Sequence, residues 1–248
     1  YFIMINITLP DKSVRQVEKG TTAMDIARSI SEGLARNVLS AKVNGEVIDA
    51  TRPINEDATL SLLTWNDDDG KATMWHSSAH LLAEAVEQLY PGVKFGIGPD
   101  IENGFYYDID MDPISEDDFP KIEAEMKKII KEKLPIRRRV VPKAEAMDFY
   151  KDEPYKLEMI SDLEDETISF YEQGEFTDLC RGPHVPHTGF VKNVKLIKVS
   201  GAYWRADQSR EQLQRLYGIS FFDKKKLNVY LNMIEEAKKR DHRKLGTR

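Results

Sequence analysis

The sequence predicts an α+β protein in two blocks, a small sheet covered by one helix followed by a larger mixed unit. Three observations predict it. Short alternating runs at residues 6–9, 14–17, 41–48 and 58–63 surround one helical period over residues 23–34. A charged, glycine-ended stretch, Asn66-Asp67-Asp68-Asp69-Gly70, follows and reads as a linker. Beyond it, helical and strand-like segments alternate from 71 to 240 without an internal repeat. The boundaries expected are therefore 1–65, 66–70 and 71–240, with 241–248 leading out.

The elements follow in order. Residues 6–9 and 14–17 flank Pro10-Asp11-Lys12-Ser13, a hairpin signal. Thr21 or Thr22 caps a helix whose apolar positions are Ala23, Ile26, Ala27, Ile30 and Leu34. Asn44-Gly45 centres a second hairpin, and residues 58–63 supply a last strand. Nothing in this block has catalytic spacing. The second block opens with a helix over residues 73–90, stopped by Pro91-Gly92, with Trp75, Ala79, Leu82, Val86 and Leu89 as its apolar stripe. Strands are expected at 104–108 and 194–199, and helices at 119–133 and 224–243.

Composition excludes several classes. Hydrophobic residues at 41% and charged ones at 31% give a globular rather than a disordered balance. No apolar run approaches the roughly 18 residues of a membrane span, and no signal-peptide pattern opens the chain. One cysteine excludes an internal disulfide, which makes a reducing cytoplasm the expected compartment. The formal charge of −6 argues at first against a nucleic-acid partner. It conceals an asymmetry, because residues 179–248 hold 16 basic and 6 acidic side chains. A backbone-binding face is expected there, with Arg137-Arg138-Arg139 as a second basic patch.

Chemistry concentrates in two motifs. His76-Ser77-Ser78-Ala79-His80 places two imidazoles on one helix face, off the apolar stripe, so the pair is expected to border a cleft. Cys180-Arg181-Gly182-Pro183-His184 repeats the gap on a segment that Gly182-Pro183 keeps from being helical. Together His76, His80, Cys180 and His184 are the ligand types of a tetrahedral zinc site. Each alone is equally at home as a hydrogen-bonded histidine or a small buried hydrophobe. Asp178 lies two positions before Cys180 and shares its side in an extended segment. Lys156 sits between acidic stretches, where a site lysine and a solvated one are equally compatible. Tyr203-Trp204-Arg205 suits base stacking and phosphate pairing, although strand aromatics are usually core. His187 reads as a bystander.

These motifs carry a resemblance. Leu9-Pro10-Asp11, Gly20-Thr21 and Val43-Asn44-Gly45 resemble a ubiquitin-like TGS domain. The His76–His80 and Asp178–His184 motifs resemble the editing domain shared by threonyl- and alanyl-tRNA synthetases. So do the segments 95–99 (Phe95, Gly96, Ile97, Gly98, Pro99), 104–108 (Gly104, Phe105, Tyr106, Tyr107, Asp108) and 201–205. In this order the chain is similar to the N-terminal half of bacterial threonyl-tRNA synthetases.

The resemblance implies a β-grasp domain, then an α+β editing domain that hydrolyses seryl-tRNA mischarged on threonine tRNA, with 241–248 starting a linker to an aminoacylation core. It implies His76, His80, Lys156, Cys180 and His184 as catalytic residues. Asp178, Tyr107, Arg181, Tyr203, Trp204 and Arg205 are the implied substrate-binding residues. It implies no metal in this pocket, although alanyl relatives hold zinc with an equivalent set. ATP, magnesium and a further zinc belong to the core, and dimerisation to the whole enzyme, leaving this part a monomer. Two alternatives are a zinc-stabilised tRNA-binding module without turnover and a TGS-type regulatory module.

Overall fold

A computed structural model describes residues 1–247. The first unit is β1 (Met4–Thr8), β2 (Val14–Glu18), α1 (Ala23–Ile30), α2 (Glu32–Ala35), β3 (Ser40–Val43), β4 (Glu46–Ile48) and β5 (Ala58–Leu63). The sheet order is β2-β1-β5-β3-β4, with β1 and β5 parallel at its centre, the β-grasp arrangement. Alternation in β1 sends Ile5 and Ile7 inward against Met24, Ile26 and Ala27 of α1. Thr22 caps α1 and exchanges hydrogen bonds with Asp25 in a capping box. The single helix expected over 23–34 is two. Ser31 adopts an extended conformation, closes α1, and accepts from Leu34 N at 3.0 Å to begin α2. Asn44 and Gly45 both have positive φ, as the two-residue turn between β3 and β4 requires.

The segment expected to be a linker is not one. Helix α3 (Asp68–Leu89) begins only five residues after β5 and includes the last three linker positions. Thr64 N donates to Asp67 Oδ2 at 2.8 Å, fixing the turn. Gly70 is there because a Cβ would collide with the Thr64 carbonyl, a close approach rather than a flexible joint. The Thr73 and Ser40 hydroxyls, 2.9 Å apart and buried, tie α3 back to β3.

The helix that carries the histidine pair is more deeply covered than its apolar stripe suggests, although the pair does border a cavity. Residues 77–86 of α3 are all buried, so this helix is covered around its whole circumference. Its polar members are satisfied in place. Ser78 donates to the Met74 carbonyl at 2.7 Å and meets Ser220 at 2.8 Å. Glu84 accepts from Gln173 at 2.9 Å.

Around α3 lie β6 (Lys94–Phe95), β7 (Asp100–Ile101), β8 (Gly104–Asp110), α4 (Phe119–Glu132), β9 (Arg137–Pro142), α5 (Lys143–Phe149), α6 (Pro154–Asp162), β10 (Thr167–Gln173), β11 (Phe176–Leu179), β12 (Val194–Tyr203), β13 (Gln212–Ser220) and α7 (Lys224–Leu245). They build a sheet β12-β13-β8-β6 with β7 beside β8, and a smaller sheet β11-β10-β9. Helix α4 presents Phe119, Ile122, Met126 and Ile129 to the shared core at helical spacing. Arg137–Arg139 lie on the outer strand β9 rather than in a loop. Helix α7 buries only Leu227, in keeping with its charged sequence. Among the described residues no helix is long and apolar enough to cross a membrane.

Burial pushes the Glu84 carboxyl up to about 7, against the opposing bond from Gln173. Its folded-state value lies above the ordinary 4.5, so the cost is full above pH 7 and is relieved as pH falls from 7 towards 4.5. Glu84→Gln is therefore expected to raise the unfolding free energy at pH 8 by on the order of 3 kcal/mol at most. Urea denaturation at pH 8 and pH 5 checks this, with the gain shrinking at the lower pH.

Candidate active site

Helix α3 sets His76 and His80 one turn apart, with ring centroids 4.8 Å from each other. The loop after β11 brings Cys180 and His184 onto them, and the His184 ring lies 4.3 Å and 4.2 Å from the two helix imidazoles. Ligand atoms of all four side chains fall within 4.8 Å of one another. Ser77, between the two histidines, fixes the loop. Its hydroxyl accepts from Val185 N at 3.0 Å and meets His184 Nδ1 at 2.9 Å. His184 Nε2 faces Cys180 Sγ at 3.0 Å. Gly182 has a φ of 75°, and a side chain there would strike the Tyr171 hydroxyl.

A polar triad adjoins the cluster. Lys156 Nζ lies 2.6 Å from Asp178 Oδ1 and donates to the Tyr107 hydroxyl at 2.9 Å. Tyr107 in turn donates to Asp178 Oδ2 at 2.5 Å. Leu179 N donates to Oδ1 at 2.7 Å, while His80 Nε2 stands 3.4 Å from Oδ2. The triad is buried, as a lysine–carboxylate pair can be only when its other bonding positions are filled.

Burial sets the electrostatics. It lowers the His80 and His184 pKa values well below the ordinary 6.5, with His76 and Lys156 adding to the effect at His80, and His80 and His76 at His184. It lowers His76 less, because Asp100, Asp178, the Pro183 carbonyl and Asp49 oppose it. Burial and Asp178 push the Cys180 thiol well up. At neutral pH the cluster is three uncharged imidazoles and a thiol beside an internally balanced ion pair. A cavity of about 180 Å³ opens on it, lined by His76, His80, Tyr107, Lys156, Asp178 and Cys180 with residues 97–99 as a wall. At roughly 30 Å³ per water, that holds a small polar group and little more.

Seven of the expected site residues converge here, namely His76, His80, Tyr107, Lys156, Asp178, Cys180 and His184. Arg181 does not. Its side chain is 80% exposed and pairs with Asp165 at 3.1 Å. Trp204 is buried against Tyr155 and Leu213, so it offers no face to a base. Its Nε1 donates to Glu158 at 2.7 Å, and Arg210 binds the same carboxylate through two 3.0 Å bonds. Those bonds, Arg210 first, hold Glu158 at about 2. Arg205 pairs with Asp162 at 2.6 Å, and Tyr203 is half exposed at the end of β12. The 203–205 segment thus anchors α6, the helix that carries Lys156, instead of facing the cavity. His187 accepts from Gly189 N at 3.0 Å, away from the cluster.

Sequence reasoning missed Ser77, Tyr171 and Asp49. Ser77 was open to inference, since it sits inside the histidine motif. Asp49 was not. It lies in the first unit, 135 positions from the His184 amide it binds.

Comparison with known proteins agrees with the geometry. Residues 5–64 match the TGS domain family, and residues 168–217 match the Threonyl and Alanyl tRNA synthetase second additional domain. The chain is 61% identical over 244 residues to the threonine–tRNA ligase of Desulfatibacillum aliphaticivorans. It is 59% identical over 247 residues to that of Cytophaga hutchinsonii, and 60% over 247 to that of Parabacteroides distasonis. Each alignment covers 98% of this chain. The chain is similar to the N-terminal region of threonine–tRNA ligases. It spans 38% of the length of these relatives and corresponds to their N-terminal region. Within the threonine–tRNA ligase framework, the matched second additional domain supplies Asp178, Cys180 and His184, while His76 and His80 lie on α3 between the two matched segments.

Removing Asp178 leaves Lys156 and Tyr107 buried without their acceptor. Asp178→Ala is expected to cost about 3–5 kcal/mol in urea denaturation, and Lys156→Met with Asp178→Leu less than that.

Proposed function

We propose that this region hydrolyses the ester of a tRNA for threonine carrying serine in error. The supporting observation is the uncharged His/Cys cluster beside Lys156 and Asp178, opening on a small cavity in a second additional domain. The chemical need is plain. Serine lacks one methyl group of threonine, a difference worth only about 1–3 kcal/mol of discrimination, so a second site must remove the error.

Hydrolysis needs a base for water, a cation for the oxyanion and a proton for the leaving ribose oxygen. His76, neutral at pH 7 and the least depressed of the three imidazoles, takes a proton from water as its oxygen attacks the ester carbonyl. Lys156 faces the negative charge that develops on the carbonyl oxygen. Collapse breaks the ester bond, and the ribose oxygen receives the proton from His76. Asp178, which borders the cavity, receives the serine ammonium. The cavity walls, with Tyr107 fixed by two hydrogen bonds, oppose an added methyl group. His80, Cys180 and His184 position the water and the terminal adenosine.

A second reading is favoured by the donor set itself. His76, His80, Cys180 and His184 fit zinc in type and number, and Ser77 would orient His184 as an outer partner. Bound there, zinc would supply Lewis acidity toward water. In the metal-free reading the same residues serve one another, Cys180 Sγ lying 3.0 Å from His184 Nε2 and His80 Nε2 3.4 Å from Asp178 Oδ2. Metal analysis of the purified chain, with deacylation before and after chelation, separates the two.

The deciding assay is deacylation of seryl-tRNA by this chain. His76→Ala with Cys180→Ala is expected to abolish it, and wild-type-like turnover would overturn the site assignment. We also propose that tRNA engages the basic 179–248 segment, where Arg181 and Lys224 to Lys226 are exposed. Affinity is expected to fall steeply between about 50 and 200 mM salt in filter-binding measurements, as phosphate contacts require.

A further inference from the structure

We propose that Asp49, a residue of the β-grasp unit, is a positioning residue of the hydrolytic site, holding the loop that carries His184. The inference rests on the hydrolytic reading above and extends the site into the first domain. Asp49 directly follows β4 and is 5% exposed. Its Oδ1 accepts from His184 N at 2.7 Å, and its Oδ2 accepts from the Tyr171 hydroxyl at 2.7 Å. Both bonds cross the domain boundary. Arg52 pairs with Oδ2 at i,i+3 but stands 3.7 Å away, too long for a good hydrogen bond, so the two short bonds that fix the carboxylate are those from the second unit.

A buried carboxylate is stable only where charge-assisted bonds replace water. Asp49 finds both of its short ones on groups that define the site. The His184 amide fixes where the imidazole begins, and Ser77 fixes where it points. Tyr171 occupies the space beside Gly182, the one position between Cys180 and His184 with positive φ. Its ring centroid also lies 4.5 Å from that of His184. Asp49 therefore sets the loop at two points at once. The polar contacts of β3 with α3, Ser40 with Thr73 and Lys42 with Asp69, lie before the histidines and do not touch the loop.

The test uses the whole chain and two readouts, seryl-tRNA deacylation and hydrogen exchange at the His184 amide. Asp49→Ala is expected to lower kcat between about 10- and 100-fold with KM nearly unchanged, the size of effect a displaced catalytic group produces. The His184 amide loses protection while α1 amides keep theirs. Asp49→Asn retains an acceptor for His184 N and is expected to recover most of the rate and the protection. Ser40→Ala serves as the interface control and stays at wild-type rate. Wild-type kcat and an intact His184 amide in Asp49→Ala would overturn the inference, as would an Asp49→Asn variant that folds yet matches the alanine variant. If the wild-type chain deacylates nothing, the hydrolytic reading fails, and the amide exchange still decides whether Asp49 holds the loop.

Discussion

Helix α3 is the constraint from which the rest of the molecule follows. It leaves β5 through a four-residue turn, so the first domain and the second share one rigid element. Its middle is buried on every side, which places any polar residue there under an obligation to find a partner. Ser77, Ser78 and Glu84 do so within the fold, and His80 stands 3.4 Å from Asp178. Two of those partners, His184 and Asp178, arrive from β11 and the loop after it. The site exists because satisfying this helix draws the loop inward.

The same burial determines the chemistry. In an exposed position, histidines near pH 7 divide between charged and neutral forms. Here desolvation and mutual repulsion hold the imidazoles neutral, and the thiol stays protonated. The only full charges at the heart of the site are those of Lys156 and Asp178, and they compensate one another. A charge that develops on a reacting oxygen meets a fixed ammonium rather than reorienting water, the arrangement in which electrostatic stabilisation is strongest. That ammonium is held from behind, because Trp204, Arg205 and Arg210 clamp the outer face of α6 through Glu158 and Asp162.

Local signals account for what the sequence revealed. The histidine spacing, the Asn44-Gly45 turn, the Thr22 cap and the Gly182-Pro183 break each act over a few residues, and each appears where its pattern put it. Where the reading failed, a local pattern served a distant need. Asp68, Asp69 and Gly70 look like a linker, yet they form a helix start pressed against Thr64. Polar residues along α3 hid its complete burial, since a hydrophobic stripe cannot report hydrogen bonds made to other elements. Trp204 and Arg205 have the composition of a nucleic-acid face and are used to secure a helix. Asp49 carried no signal at all, because its partners lie more than a hundred positions away.

That distance bears on why the two domains occur in one chain. A mobile domain could not present a carboxylate with the accuracy that two 2.7 Å bonds demand. Here the connection is a turn closed by Asp67 and a helix seated against Thr64, and Ser40 grips that helix again at Thr73. Little orientational freedom is left for ordering to remove, so the cost of bringing Asp49 to the loop is met when the domains fold together. The first domain has no catalytic motif of its own. Its rigidity relative to α3 is what lets Asp49, just past β4, hold the loop that carries His184.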